Sequence, residues 1–84
     1  MMDFEKFFLG EVGIIVKSFE QAIDILENLE ENIDASYILP GDYEEYPYWY
    51  IDSGKLCMSE DYAVVMDHVE KVFTYQTYAF DNQI

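Results

Sequence analysis

Between Ser18 and Asn32 the chain reads SFEQAIDILENLEEN, and helical periodicity dominates it. Phe19, Ala22, Ile23, Leu26 and Leu29 fall on one side of an α-helix and give it an apolar face. Ser18, followed three residues later by Gln21, matches a capping box and fixes where the helix starts. The spacing predicts a helix from Ser18 to about Asn32. Every other element has to be placed around it.

Before the helix, VGIIVK (residues 12–17) is a short β-rich run that reads as a buried strand. Phe4, Phe7 and Phe8 suggest a short helix or turn within residues 2–9. After it, periodicity stops from Ile33 to Glu45, and Pro40-Gly41 marks a turn. YWYI (48–51) reads as a strand with Pro47 at its start, DSGK (52–55) as a hairpin turn, and LCM (56–58) as the returning strand. Ser59, with Glu60 and Asp61 behind it, opens a second helix whose apolar face carries Tyr62, Val65, Met66, Val69 and Val72 or Phe73. FTYQTYAF (73–80) reads as a last strand.

The order β-α-β-β-α-β predicts an α+β domain of the ferredoxin-like kind, a four-stranded antiparallel sheet with both helices on one face. The alternative is a βαββ unit with a helix packed elsewhere, because the connection from Ile33 to Glu45 is long. Residues 1–84 make a single domain, with no repeat and no linker.

Charge is what sets the chain apart. Eighteen acids face four lysines, there is no arginine, and the formal net charge is −14. An aromatic content of 18% argues for a folded domain in spite of that repulsion. Four scattered lysines cannot form a phosphate-binding patch, so direct binding to DNA or RNA is not expected. No stretch is long enough to span a membrane, and the first residues lack the basic and apolar regions of a signal peptide. The one cysteine, Cys57, permits no internal disulfide and suits a reducing, cytoplasmic setting.

The acids are not evenly spread. Glu20, Asp24, Glu27, Glu30 and Glu31 oppose the apolar face of the first helix, with no lysine among them. At ~1.5 Å per residue, 20 to 31 spans roughly 16 Å, about one carboxylate every 4 Å. DNA presents a phosphate about every 3.4 Å along each strand. The plainer reading is a solvated, charged helix face, but such faces usually mix signs. A second acidic segment, DYEEYPYWYID (42–52), supplies Asp42, Glu44 and Glu45 among Tyr43, Tyr46, Tyr48 and Tyr50. Tyrosine and tryptophan suit interfaces, and acids beside rings suit lysine or arginine. Alternation sends Trp49 and Ile51 to the core and leaves those four tyrosines as contact candidates. With one face of the sheet open, Tyr75 would join them.

Catalytic readings are weaker. His68 reads as a surface residue and Cys57 as small core filling. Paired glycosidase carboxylates would need a cleft deeper than so short a chain builds. Asp42, Glu44, Glu45 and Asp52 offer oxygen ligands but match no calcium loop. No catalytic residue, metal or cofactor is expected.

In size, in its ratio of acids to bases, in the stripe from Glu20 to Glu31 and in DYEEYPYWYID, the chain resembles small acidic inhibitors of bacteriophages and mobile elements. Anti-CRISPR proteins, anti-restriction proteins and inhibitors of uracil-DNA glycosylase are of this class. The resemblance is one of composition and covers no motif. It implies a non-catalytic protein that occupies the nucleic-acid site of a host defence or repair enzyme. The alternative is an interaction module, such as a homodimer, whose acids serve solubility.

Overall fold

The computed structural model describes residues 3–82, and its architecture turns on the hairpin of β2 (Tyr48–Asp52) and β3 (Lys55–Ser59). The two strands pair antiparallel, and the turn residues Ser53 and Gly54 both have positive φ, 53° and 75°. That backbone matches the right-handed twist of the flanking strands. On the other side of β2 lies β1 (Val12–Ile15), antiparallel to it. Beyond β1 lies β4 (Lys71–Thr74), parallel to it. The order across the sheet is β3-β2-β1-β4.

The result is a small α+β domain with a mixed sheet, which differs from the antiparallel ferredoxin-like arrangement expected. β3 and β4 run parallel at opposite edges, so the connection between them crosses a face of the sheet. That connection contains α3 (Tyr62–Met66). Val65, Val69 and Met66 pack there against Tyr48, Tyr50, Cys57 and Val72. The other face carries Val12, Ile14, Trp49, Ile51, Leu56, Met58 and Phe73. It is covered by α1 (Glu5–Phe8), α2 (Phe19–Glu27) and α4 (Tyr75–Asp81). Helices therefore lie on both faces, not one. Trp49 and Ile51 are core as their alternation predicts.

Several boundaries move for local reasons. Ser18 caps α2 by accepting the Gln21 N–H at 3.2 Å, while Gln21 Oε1 reaches back to the Lys17 N–H at 2.8 Å. The helix ends at Glu27, short of Asn32, because the Asn28 side chain donates to the Asp24 carbonyl at 2.7 Å. Its buried side centres on Ala22 and Ile25, and Phe19 is exposed. α3 starts from Asp61, whose carboxylate accepts the Ala63 N–H at 2.9 Å; Ser59 Oγ in turn accepts the Asp61 N–H at 3.0 Å.

The expected strand over 73–80 is mostly helix. Thr74 Oγ1 accepts the Thr77 N–H at 3.1 Å and opens α4, so Tyr75 and Tyr78 follow helical spacing. Tyr78 is wholly buried, stacked on Phe4, with its hydroxyl donating to the Asp3 carbonyl at 2.8 Å. The short N-terminal helix is present as α1, although Met2 lies outside the described residues.

The long connection between α2 and β2 is pinned twice. Asp34 pairs across the edge of β3, donating to the Gly54 carbonyl at 2.9 Å and accepting from the Leu56 N–H at 2.8 Å. A 3-10 helix at Pro40–Glu44, where a turn is expected, then packs against α2. No helix of the described residues is long and apolar enough to cross a membrane.

Gly10 links α1 to β1 at φ 78°, and a Cβ there would lie 2.9 Å from the Ile51 carbonyl oxygen. Gly10→Ala is expected to cost about 1–3 kcal/mol of stability, read from the urea midpoint.

Candidate partner-binding surface

Glu20, Asp24 and Glu27 share the outward side of α2, but over seven residues they span only ~10 Å. Glu30 and Glu31 lie beyond the end of the helix in the turn that follows. The continuous stripe from 20 to 31 is therefore broken, and with it the regular phosphate-like pitch. Asp24 is also bound into the fold. It is half-buried and accepts hydrogen bonds from the Tyr75 hydroxyl and, at 3.2 Å, from Asn28 Nδ2. Tyr75, expected on an open sheet face, instead ties α4 to α2.

The second acidic segment also divides. Asp42 caps the 3-10 helix by accepting the Leu39 N–H at 3.0 Å, and Tyr43 packs against the main core. Glu44 and Glu45 are exposed. Tyr50, a contact candidate by sequence, is 7% exposed. It lies under α3 with the His68 ring stacked on it at 5.1 Å. A single-faced helix layer would have left it open; the crossover covers it. Tyr46 and Tyr48 remain half-exposed.

Sequence reasoning missed two residues here, Tyr62 and Glu60. Helical spacing puts Tyr62 on a buried face, but α3 begins only at Tyr62 and leaves it 52% exposed. Its ring meets Tyr48 edge-on, with centroids 5.9 Å apart. The Tyr46 phenol is held above its ordinary value chiefly by the Glu45 carboxylate, with burial and the charges of Glu60 and Asp42 adding to it. Acids from the 3-10 helix, from its C-cap and from just before α3 thus act on one phenol.

A division of labour runs through the carboxylates. Asp3, Asp24, Asp34, Asp42 and Asp61 accept hydrogen bonds that fix turns, caps or helix packing. Glu45 lies at the Tyr46 hydroxyl, and the other glutamates accept no side-chain hydrogen bond among the described residues. No lysine pairs with a carboxylate there either; the one acid–base contact is His68 Nδ1 to Asp52 at 3.8 Å. Lys6 and Lys71 line a cleft with Glu11, Glu70 and Asp81, and Lys17 lies in a shallow groove with Glu20, Gln21 and Tyr75. Lys55 sits over the exposed Tyr37 ring at 5.6 Å.

Burial, and then the nearby Asp52 charge, push the Cys57 thiol up and keep it protonated at neutral pH. No group of three or more His, Cys, Asp or Glu residues positioned to hold a metal occurs among the described residues, Asp42, Glu44, Glu45 and Asp52 included.

No protein-family model, curated protein or solved structure matches this chain.

Tyr75 supplies a pH signature. Burial first, then the hydrogen bond to Asp24 and its charge, push its phenol up to about 12, and burial does the same for Tyr78. A raised phenol value means stability that is complete below pH 10 and lost as pH rises towards 12. Tyr75→Phe is expected to cost about 1–2 kcal/mol at neutral pH. It should also flatten the alkaline decline in urea denaturation measured from pH 9 upwards.

Proposed function

We propose that the protein is a non-catalytic, stoichiometric inhibitor that binds the basic, nucleic-acid-binding surface of a host defence or repair enzyme in the bacterial cytoplasm. It would belong to the kind of acidic protein that bacteriophages and mobile elements encode against restriction or CRISPR systems. One observation carries this reading. Among the described residues the glutamates Glu20, Glu27, Glu30, Glu31, Glu44 and Glu60 stand without lysine partners, and their carboxylates accept no hydrogen bond from the fold.

Repulsion among like charges destabilises a compact chain, and i,i+4 lysines would have relieved it on α2. Such a surface steers towards Lys- and Arg-rich clefts and speeds encounter. The broken stripe changes the form of the complementarity. The acids make a field around α2 and the 3-10 helix, not a ruler with the spacing of phosphates. Tyr43, Tyr46 and Tyr48 add apolar area beside them.

A homodimeric assembly module is the second reading. Phe80, Leu39 and Phe19 are all more than half exposed, as a self-associating surface requires. Salt separates the two, because association through apolar residues changes little between low and high ionic strength, whereas charge-driven association collapses.

The deciding experiment is affinity capture from a bacterial lysate at low salt, with a salt step for elution and DNA or RNA as competitor. A captured nucleic-acid-binding enzyme that nucleic acid displaces supports inhibition by occupancy. Reversal of Glu20, Glu27 and Glu31 to Lys should slow association with that enzyme roughly 100-fold or more. The melting temperature should hold or rise. Asp24 is left out of the set because its replacement would release Tyr75. Unchanged binding by the triple variant would sink the electrostatic reading.

A further inference from the structure

We infer that the end of the sheet where β2 begins and α3 starts is an arginine-binding surface, fitted to a guanidinium side chain on the partner protein. The inference rests on the basic-partner reading above and says which basic group is read, and where.

The geometry comes from the hairpin. Tyr48, the first residue of β2, lies opposite Ser59, the last of β3. Ser59 and Asp61 then hold the start of α3 through the Asp61 and Ala63 N–H groups, which brings Tyr62 back over Tyr48. The two rings meet at 62° and 5.9 Å, forming a corner and not a flat stack. Tyr46 lies two residues before Tyr48 and Glu60 one residue after Ser59, so the same pairing sets both beside the corner, and the charges of Glu45 and Glu60 help to raise the Tyr46 phenol. The hairpin register thus brings aromatic rings and carboxylates from separate segments to one end of the sheet.

Tyr37 shows the same chemistry already satisfied, because Lys55 of this chain lies over its ring. At Tyr46, Tyr48 and Tyr62 no such internal cation is found among the described residues: Lys6, Lys17 and Lys71 line clefts elsewhere. A cation has to come from outside. Arginine suits the corner better than lysine, since a planar guanidinium stacks on a ring while its remaining N–H groups reach two carboxylates. A second copy of the chain is the wrong occupant. It carries no arginine and would bring more acids to an acidic rim.

The test uses the full chain, labelled with nitrogen-15 and titrated with hexa-arginine and hexa-lysine peptides at low salt. Hexa-arginine should bind about two- to fivefold tighter, with the amides of Tyr46, Tyr48 and residues 60–62 shifting first. Tyr62→Leu should abolish that preference and leave hexa-lysine affinity unchanged. Glu60→Gln, at an exposed side chain without hydrogen bonds, should weaken hexa-arginine more than hexa-lysine, and it carries the test if Tyr62→Leu perturbs the fold. Glu27→Gln should lower both affinities alike. Equal binding of the two peptides, or first shifts on α2, overturns the arginine surface and leaves the basic-partner reading standing. Binding of neither peptide overturns both. Concentration-dependent dimerisation that protects the same amides also overturns it, in favour of a second copy.

Discussion

The parallel pairing of Lys71–Thr74 with Val12–Ile15 governs the rest of the molecule. Once β4 lies beyond β1 in that direction, the chain leaving β3 must cross β2 and β1 to reach it. The crossing element, α3, has to lie on the face that α2 does not use. Gly13 of β1 is part of that fit: a Cβ there would stand 3.3 Å from Val65 of α3. Tyr50 is buried by the crossing, His68 is laid over it, and Tyr62 is set against Tyr48. Both the closed and the open parts of the tyrosine segment follow from one strand pairing.

The acids sort by side-chain length. Aspartate reaches backbone N–H groups two or three residues away, which makes it a natural cap and turn former. Asp34, Asp42 and Asp61 do this here. The extra methylene of glutamate carries its carboxylate away from its own backbone and into solvent. A chain with this much negative charge can thus spend its aspartates on folding while its glutamates remain free. The distinction matters for Asp24, which by sequence belongs with Glu20 and Glu27 but by structure belongs with Tyr75.

What the sequence made legible was local. The Ser18–Gln21 cap, the Ser53-Gly54 hairpin, the short strands and the burial of Trp49 and Ile51 all depend on neighbours a few residues away. The errors come from distant partners or from single side chains that override the local periodicity. Phe73 to Phe80 is aromatic on both faces of a would-be strand, yet Thr74 caps a helix there and Tyr78 fills the space beside Phe4. The length of α2 hinged on one asparagine side chain. Strand order and the side taken by α3 left no periodic trace, so the pattern points Tyr50 outward and Tyr62 inward, the reverse of what the fold does.

Trp49 is the chain's one tryptophan, and it sits directly behind this surface. It is wholly buried, and its indole N–H donates to the Tyr46 carbonyl at 2.9 Å. Its emission therefore starts from an apolar environment with one defined polar contact. Eight tyrosines share with it a molecule only 29 × 25 × 24 Å across. Anything that pulls on the Tyr46 segment disturbs the indole without touching it. The fold has placed a built-in optical probe one hydrogen bond away from the Tyr46 backbone.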